Sequence, residues 1–248
     1  MPFSFAGVLH RAHIRYKARN TGGRPGWQEP AHHMGRQHQP MRTNPKSVAI
    51  VEVGARDGLQ NEPEVFSTAT KVELLTRMMD AGARRLEVAS FVHPKLVPQM
   101  ADAEAVVAAL PDRKDTSYIG LVLNKRGLLR ALATREGGRR GVDEAGCVAV
   151  ASDSFGQRNQ GQTIEEAIRE ASDNLRLARQ EGLVPQVTVS VAFGCPFEGD
   201  VPPARVLDIV RRLADSEPDE IALADTIGAA VPAQVTDLFS RVREALPR

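Results

Sequence analysis

Six times along the chain a short, β-branched run gives way to a stretch with helical periodicity, and few folds accept that alternation. The first such run, Ser47–Val53, reads as a buried strand. Thr70-Lys71-Val72-Glu73 has the form of a capping box and opens a predicted helix to about Ala81. That helix carries Val72, Leu75 and Met79 on one face and stops at Gly82. The pattern predicts further strands near Arg84–Val88, Tyr118–Leu123, Gly146–Ala151, Val187–Ala192 and Glu220–Ala224. It predicts helices near Ala103–Leu110, Gly127–Ala133, Thr163–Glu181, Pro203–Ala214 and Pro232–Ala245. Strand and helix in strict succession make a parallel sheet with crossover helices.

Two architectures remain. A doubly wound sheet that binds dinucleotides carries Gly-x-Gly-x-x-Gly after its first strand, and none is present here. A (β/α)8 barrel needs eight units, and six are legible. With 248 residues and 42% hydrophobic composition, the chain is long enough for one such domain. No apolar run reaches the ~18 residues of a membrane span, so no membrane association is expected. Two cysteines, Cys147 and Cys195, make no disulfide framework and fit a reducing compartment.

Charge divides the chain. Residues 1–46 hold eight Lys/Arg and one acid, Glu29, while residues 47–248 hold 24 basic and 30 acidic groups, a net of −6. An acidic body argues against a nucleic-acid-binding surface. The first 46 residues, broken by Gly22-Gly23, Pro25, Pro30, Pro40 and Pro45, read as a disordered basic extension. Their Arg-rich composition also fits a mitochondrial transit peptide, and a third reading begins the natural chain at Met41. The expected compartment is the cytoplasm, or the mitochondrial matrix if the extension is a transit peptide.

Polar residues gather just past the strand ends, where such folds keep their chemistry. Gly54-Ala55-Arg56-Asp57-Gly58-Leu59-Gln60-Asn61-Glu62 follows the first strand. An arginine beside an aspartate can place a guanidinium on a developing oxyanion and a carboxylate on a metal; an ion pair capping a turn would look the same. Glu87 lies inside the second strand, where an acid is costly unless partnered. Asn124, Ser152-Asp153, Gly194-Cys195-Pro196-Phe197-Glu198-Gly199 and Asp225-Thr226 follow the later strands. Any one of them could be a helix cap. Together they describe a mouth with several carboxylates, an arginine and few histidines, which suits Mg2+ or Mn2+ better than zinc.

These residues closely resemble the 3-hydroxy-3-methylglutaryl-CoA lyase family of metal-dependent (β/α)8 barrels. The matching segments are Val51–Glu62, Glu87–Met100, Gly194–Gly199 and Asp225–Gly228. Arg-Asp-Gly marks only the wider lyase, synthase and aldolase group; the Gly-Leu-Gln-Asn-Glu and Gly-Cys-Pro-Phe-Glu-Gly elements point to the lyases. The resemblance implies cleavage of an acyl-CoA thioester to acetyl-CoA and acetoacetate. It makes Asp57 a ligand of a divalent cation, Mg2+ or Mn2+, and Arg56, Glu87 and Asp225 catalytic. Arg56, Gln60, Asn124 and Thr226 become substrate-binding residues, with a homodimer as a candidate assembly.

Departures from the family pattern are Ala55 for a proline, His93 for a serine, and Leu123-Asn124 for Thr-Pro-Asn. The family continues beyond a sixth helix with a His-x-His metal pair and a cysteine in a Gly-rich loop. Residues 47–248 contain one histidine, His93, and no such pair. The expectation is therefore a truncated barrel of about six βα units, with open sheet edges and little or no activity as written.

Overall fold

A computed structural model describes residues 48–246; the basic extension expected over 1–46 lies outside the described residues. Five strands form one sheet: β1 (Arg85–Ser90), β2 (Ser117–Leu121), β3 (Glu144–Val150), β4 (Val184–Ser190) and β5 (Glu220–Leu223). Every pairing is parallel and the order is β1-β2-β3-β4-β5, so each strand lies beside its neighbour in sequence. Helices make the crossovers: α1 (Thr68–Asp80) before β1, α2 (Ala103–Ala109), α3 (Lys125–Ala133), α4 (Asp153–Gln160), α5 (Ile164–Gln180), α6 (Pro203–Ala214) and α7 (Pro232–Ala245). This is the order of a partial (β/α)8 barrel.

The sheet is curled, and one buried ion cluster shows by how much. In a flat sheet β1 and β5 would stand about 19 Å apart, at ~4.8 Å per step. Yet Arg85, the first residue of β1, donates from Nη1 to Oε2 of Glu220, the first residue of β5, at 2.9 Å. Its Nε donates to Oε1 of Glu144 in β3 at 2.7 Å. Ser117 and Gln186 also donate to Glu144, at 2.6 and 3.2 Å. Burial alone would lower the Arg85 pKa, but Glu144 and Glu220 outweigh it and raise it, so the guanidinium stays charged. The concave face is thus filled, at the amino ends of the strands, by charge. The convex face is covered by helices and is apolar: Ala167, Ala171, Leu175 and Ala178 of α5, and Val206, Ile209, Val210 and Leu213 of α6, are all buried.

Three sequence expectations need correction. Ser47–Val53 is not a laddered strand; among described residues only Glu52 bridges, in parallel, to Leu86. The segment keeps the right place, with Glu52 N donating to Arg85 O and Glu87 N to Glu52 O, at 2.9 and 2.8 Å. Its outer side chains lack cover, however: Val48 and Ile50 are each 78% exposed. The first helix is capped by Ser67, whose Oγ accepts from Thr70 N at 3.2 Å, so Thr70 lies inside the helix and does not cap it. Finally, the stretch after Ser152 is helix α4, begun by the Ser152 hydroxyl accepting from Phe155 N at 3.1 Å. The capping box at Thr163 and Glu166 forms as expected, and no helix among the described residues is long and apolar enough to cross a membrane.

Candidate active site

The carboxyl end of the curled sheet is where the sequence-predicted residues are found. Gly54–Gly58 forms one wide helical turn directly after the bridging segment. Asp57 N donates back to Val53 O at 2.7 Å, and Asn61 Nδ2 caps Asp57 O at 2.7 Å. A Cβ at Gly54 would stand 2.9 Å from Oε1 of Glu52, which accepts the Gly54 N–H at 2.7 Å, so a side chain there would displace that carboxylate. The turn directs Arg56 and Asp57 into the interior, where they are 3% and 7% exposed.

There Arg56 meets Glu87, itself 5% exposed. Arg56 Nε donates to Glu87 Oε2 at 2.7 Å, and Nη2 donates to the same oxygen. Nη1 donates to Asp57 Oδ1 at 2.6 Å. Desolvation alone would depress the guanidinium pKa; the two carboxylates reverse that and raise it. The outcome is a buried, charged and rigidly held guanidinium, and each outer nitrogen has a second N–H to offer. A cation fixed before the reaction is the arrangement that stabilises a developing oxyanion.

A β-bulge shapes the neighbourhood. In β1 the register runs Arg85↔Ser117, Glu87↔Ile119, then shifts to Ala89↔Gly120 and Ser90↔Leu121. Paired residues of a parallel ladder face the same side, so the shift puts Ser90 on the concave face with Glu87, three residues apart instead of two. Ser90 is fully buried and its Oγ has no hydrogen-bond partner. Nothing in the strand pattern marks it, because its direction depends on the bulge. Gln60, expected to bind substrate, likewise has a buried Oε1 without a partner.

The other predicted site residues are engaged with backbone. Asp225 Oδ1 and Oδ2 accept from Ala229 N and Ala230 N, at 2.9 and 3.0 Å. Thr226 Oγ1 accepts from Val191 N at 2.8 Å, holding a β-branched residue at φ 52°, in the left-handed region. Asn124 is exposed and caps α3, its Oδ1 accepting from Gly127 N at 3.0 Å. So Arg56, Asp57 and Glu87 are brought into contact, while Asn124, Asp225 and Thr226 shape the loops that frame the mouth.

The Gly194–Gly199 loop is pinned over the same end. Cys195 and Gly199 exchange backbone hydrogen bonds, at 2.8 and 2.9 Å. Cys195 Sγ sits 3.0 Å from Ser152 Oγ and accepts from Phe197 N and Glu198 N, both at 3.4 Å. Glu198 accepts from Ser154 N at 2.8 Å, Ser152 Oγ at 2.7 Å and Arg205 at 3.0 Å. The Ser154 N–H, foremost, and the hydroxyl and guanidinium hold the Glu198 carboxyl at about 2. His93 faces solvent and accepts from Lys95 N at 3.3 Å.

The donor set for the expected Mg2+ or Mn2+ is short. Asp57 is one carboxylate, already holding Arg56, and no group of three His, Cys, Asp or Glu side chains among the described residues could hold a metal ion. Mg2+ or Mn2+ prefers six oxygen-rich ligands, so residues 48–246 do not by themselves build its site.

Comparison with known proteins shows the family of the chain. The sequence profile of the HMGL-like family matches residues 47–248. The mitochondrial hydroxymethylglutaryl-CoA lyase of Bos taurus is 37% identical over 205 residues, 83% of this chain and 61% of its own length. The (R)-citramalyl-CoA lyase of Chloroflexus aurantiacus is 39% identical over 212 residues, 82% of this chain and 65% of its own. A crystal structure of hydroxymethylglutaryl-CoA lyase from Pseudomonas aeruginosa superposes with a TM-score of 0.76 at 37% identity, covering 82% of this chain and 66% of that one. The chain thus spans 61–66% of the lengths of these proteins.

Proposed function

Because this chain belongs to the HMGL-like family, we propose that it is a carbon–carbon lyase of acyl-CoA thioesters, cleaving 3-hydroxy-3-methylglutaryl-CoA to acetyl-CoA and acetoacetate. The supporting observation is the guanidinium of Arg56, locked by Glu87 and Asp57 at the carboxyl end of the sheet.

Cleavage removes the proton of the acyl hydroxyl, and the oxygen's electrons close to a ketone. The carbon–carbon bond breaks, and its electron pair moves onto the thioester as an enolate, which then takes a proton. Arg56 stabilises that enolate oxygen through its outer N–H groups. Glu87 and Asp57 keep the guanidinium oriented, so little reorganisation is needed when charge appears. Asp225 and Thr226 position the loops around the substrate through the backbone groups they hold.

The second reading is cleavage, or the reverse condensation, of another acyl-CoA. The citramalyl-CoA lyase match favours it, being at least as similar as the hydroxymethylglutaryl-CoA lyases. A third is a thioester-binding protein without turnover. Acetoacetate release from 3-hydroxy-3-methylglutaryl-CoA, and pyruvate release from citramalyl-CoA, each with and without Mg2+ or Mn2+, separates the three. Release of acetoacetate supports the leading reading, pyruvate alone supports the second, and binding without either product supports the third.

A further inference from the structure

We propose that Ser90 is a specificity-determining residue, whose hydroxyl hydrogen-bonds the hydroxyl group of a 3-hydroxyacyl thioester. The proposal rests on the acyl-CoA reading above and names the part of the substrate that this wall of the site recognises.

Ser90 Oγ is a fully buried hydroxyl with no partner in the protein. Leaving such a group unpaired is costly, and an alanine would avoid that cost in the same space. The bulge at Val88 turns Ser90 onto the concave face, the same face as Glu87. Without that extra residue the alternation of the strand would send Ser90 to the helix side. Two departures from the economical solution, an unpaired hydroxyl and a bulge that aims it, thus meet at one residue on the face of β1 that carries Glu87.

The surroundings select the ligand group. On one side is the ion array, with two carboxylates to one guanidinium, a poor neighbour for another carboxylate. On the other is a small apolar cluster of Val92, Met100, Leu121 and Val148, of which Leu121 is the register neighbour of Ser90. The hydroxyl-bearing carbon of the acyl chain matches both, with the chain's own carboxylate directed away from the ion array. Leu59, Val97 and Leu123, only partly buried against that cluster, are the side chains whose displacement admits it.

The test compares binding of 3-hydroxy-3-methylglutaryl-CoA and its deoxy analogue 3-methylglutaryl-CoA by calorimetry, for the parent chain, Ser90→Ala and Ser90→Thr. The parent should prefer the hydroxylated thioester. Ser90→Ala should reduce that preference about three- to tenfold, mostly by weakening the hydroxylated ligand, and Ser90→Thr should restore part of it. The melting temperature of Ser90→Ala should not fall, because no partner is lost. If that variant does not fold, Ser90→Cys removes the oxygen at nearly constant volume and is read in the same way. An unchanged preference in the variant, or none in the parent, overturns the role of Ser90 alone. A parent that binds neither thioester overturns the acyl-CoA reading together with it.

Discussion

Arg56 concentrates the chemistry of this molecule into one side chain whose charge depends on two others. Replacing it with lysine keeps a cation but loses the planar fork, so Glu87 and Asp57 can no longer both be satisfied. Arg56→Lys should lower kcat for thioester cleavage by about 10²–10³-fold, in the range of a lost oxyanion donor. A variant within twofold of the parent would remove Arg56 from the reaction. Glu198 carries a different kind of prediction. Its folded pKa is about 2, below the ~4.3 of an unfolded glutamate. The stabilisation is therefore complete above about pH 4.3 and is lost as pH falls through that value toward 2. Glu198→Gln should flatten this part of the profile of melting temperature against pH; identical profiles would show that the loop clamp contributes nothing. Arg56 and Asp57 were legible less from their spacing, which a turn-capping ion pair would share, than from the lyase-like segment Val51–Glu62 that carries them. Ser90 was not, since its role depends on a bulge that leaves no trace in residue type.

Elements that begin with a chemical marker were readable to the residue. Pro203 and Pro232 start α6 and α7 where the sequence places them, because proline suits the first turn of a helix and little else in it. Thr163→Ala should cost about 1 kcal/mol by removing the cap of α5, seen as a lower urea midpoint at unchanged slope, whereas Thr70→Ala should cost less. Equal losses would mean that Thr70 caps after all. Strand starts were harder to read. Glu144 and Gln186 look like loop residues, yet both are buried in strands, because the concave face keeps a polar cluster at that level. Helix α4 escaped notice for the opposite reason: only Phe155 and Gly156 are buried, so Asp153–Gln160 has no apolar stripe to betray it.

At the scale of the molecule, the sheet is open at both sides among the described residues. β5 has β4 as its one laddered neighbour, and the segment at Glu52 offers Val48 and Ile50 to solvent. Unpaired edges with apolar side chains recruit other chains. The described fold should self-associate with rising concentration in sedimentation, and Ile50→Lys should suppress this; indifference to that change would place the association elsewhere. The barrel family was readable because alternation of strand and helix is a global pattern, whereas curvature is set by side-chain contacts between distant strands. Arg85 makes those contacts, and Arg85→Met should cost about 3–5 kcal/mol by removing the buried cation that Glu144 and Glu220 share.

That cross-tie, which also takes in Glu144 of β3, grips the strands only at their amino ends. The sheet is therefore hinged like a clothes peg, stapled at its base and free to spread at the rim where Arg56 sits. A thioester could widen the rim without unzipping a single ladder. Backbone amides near Val191 and Ala224, just past the ends of β4 and β5, should consequently exchange with deuterium sooner than those near Ala145 and Val187, which lie within β3 and β4.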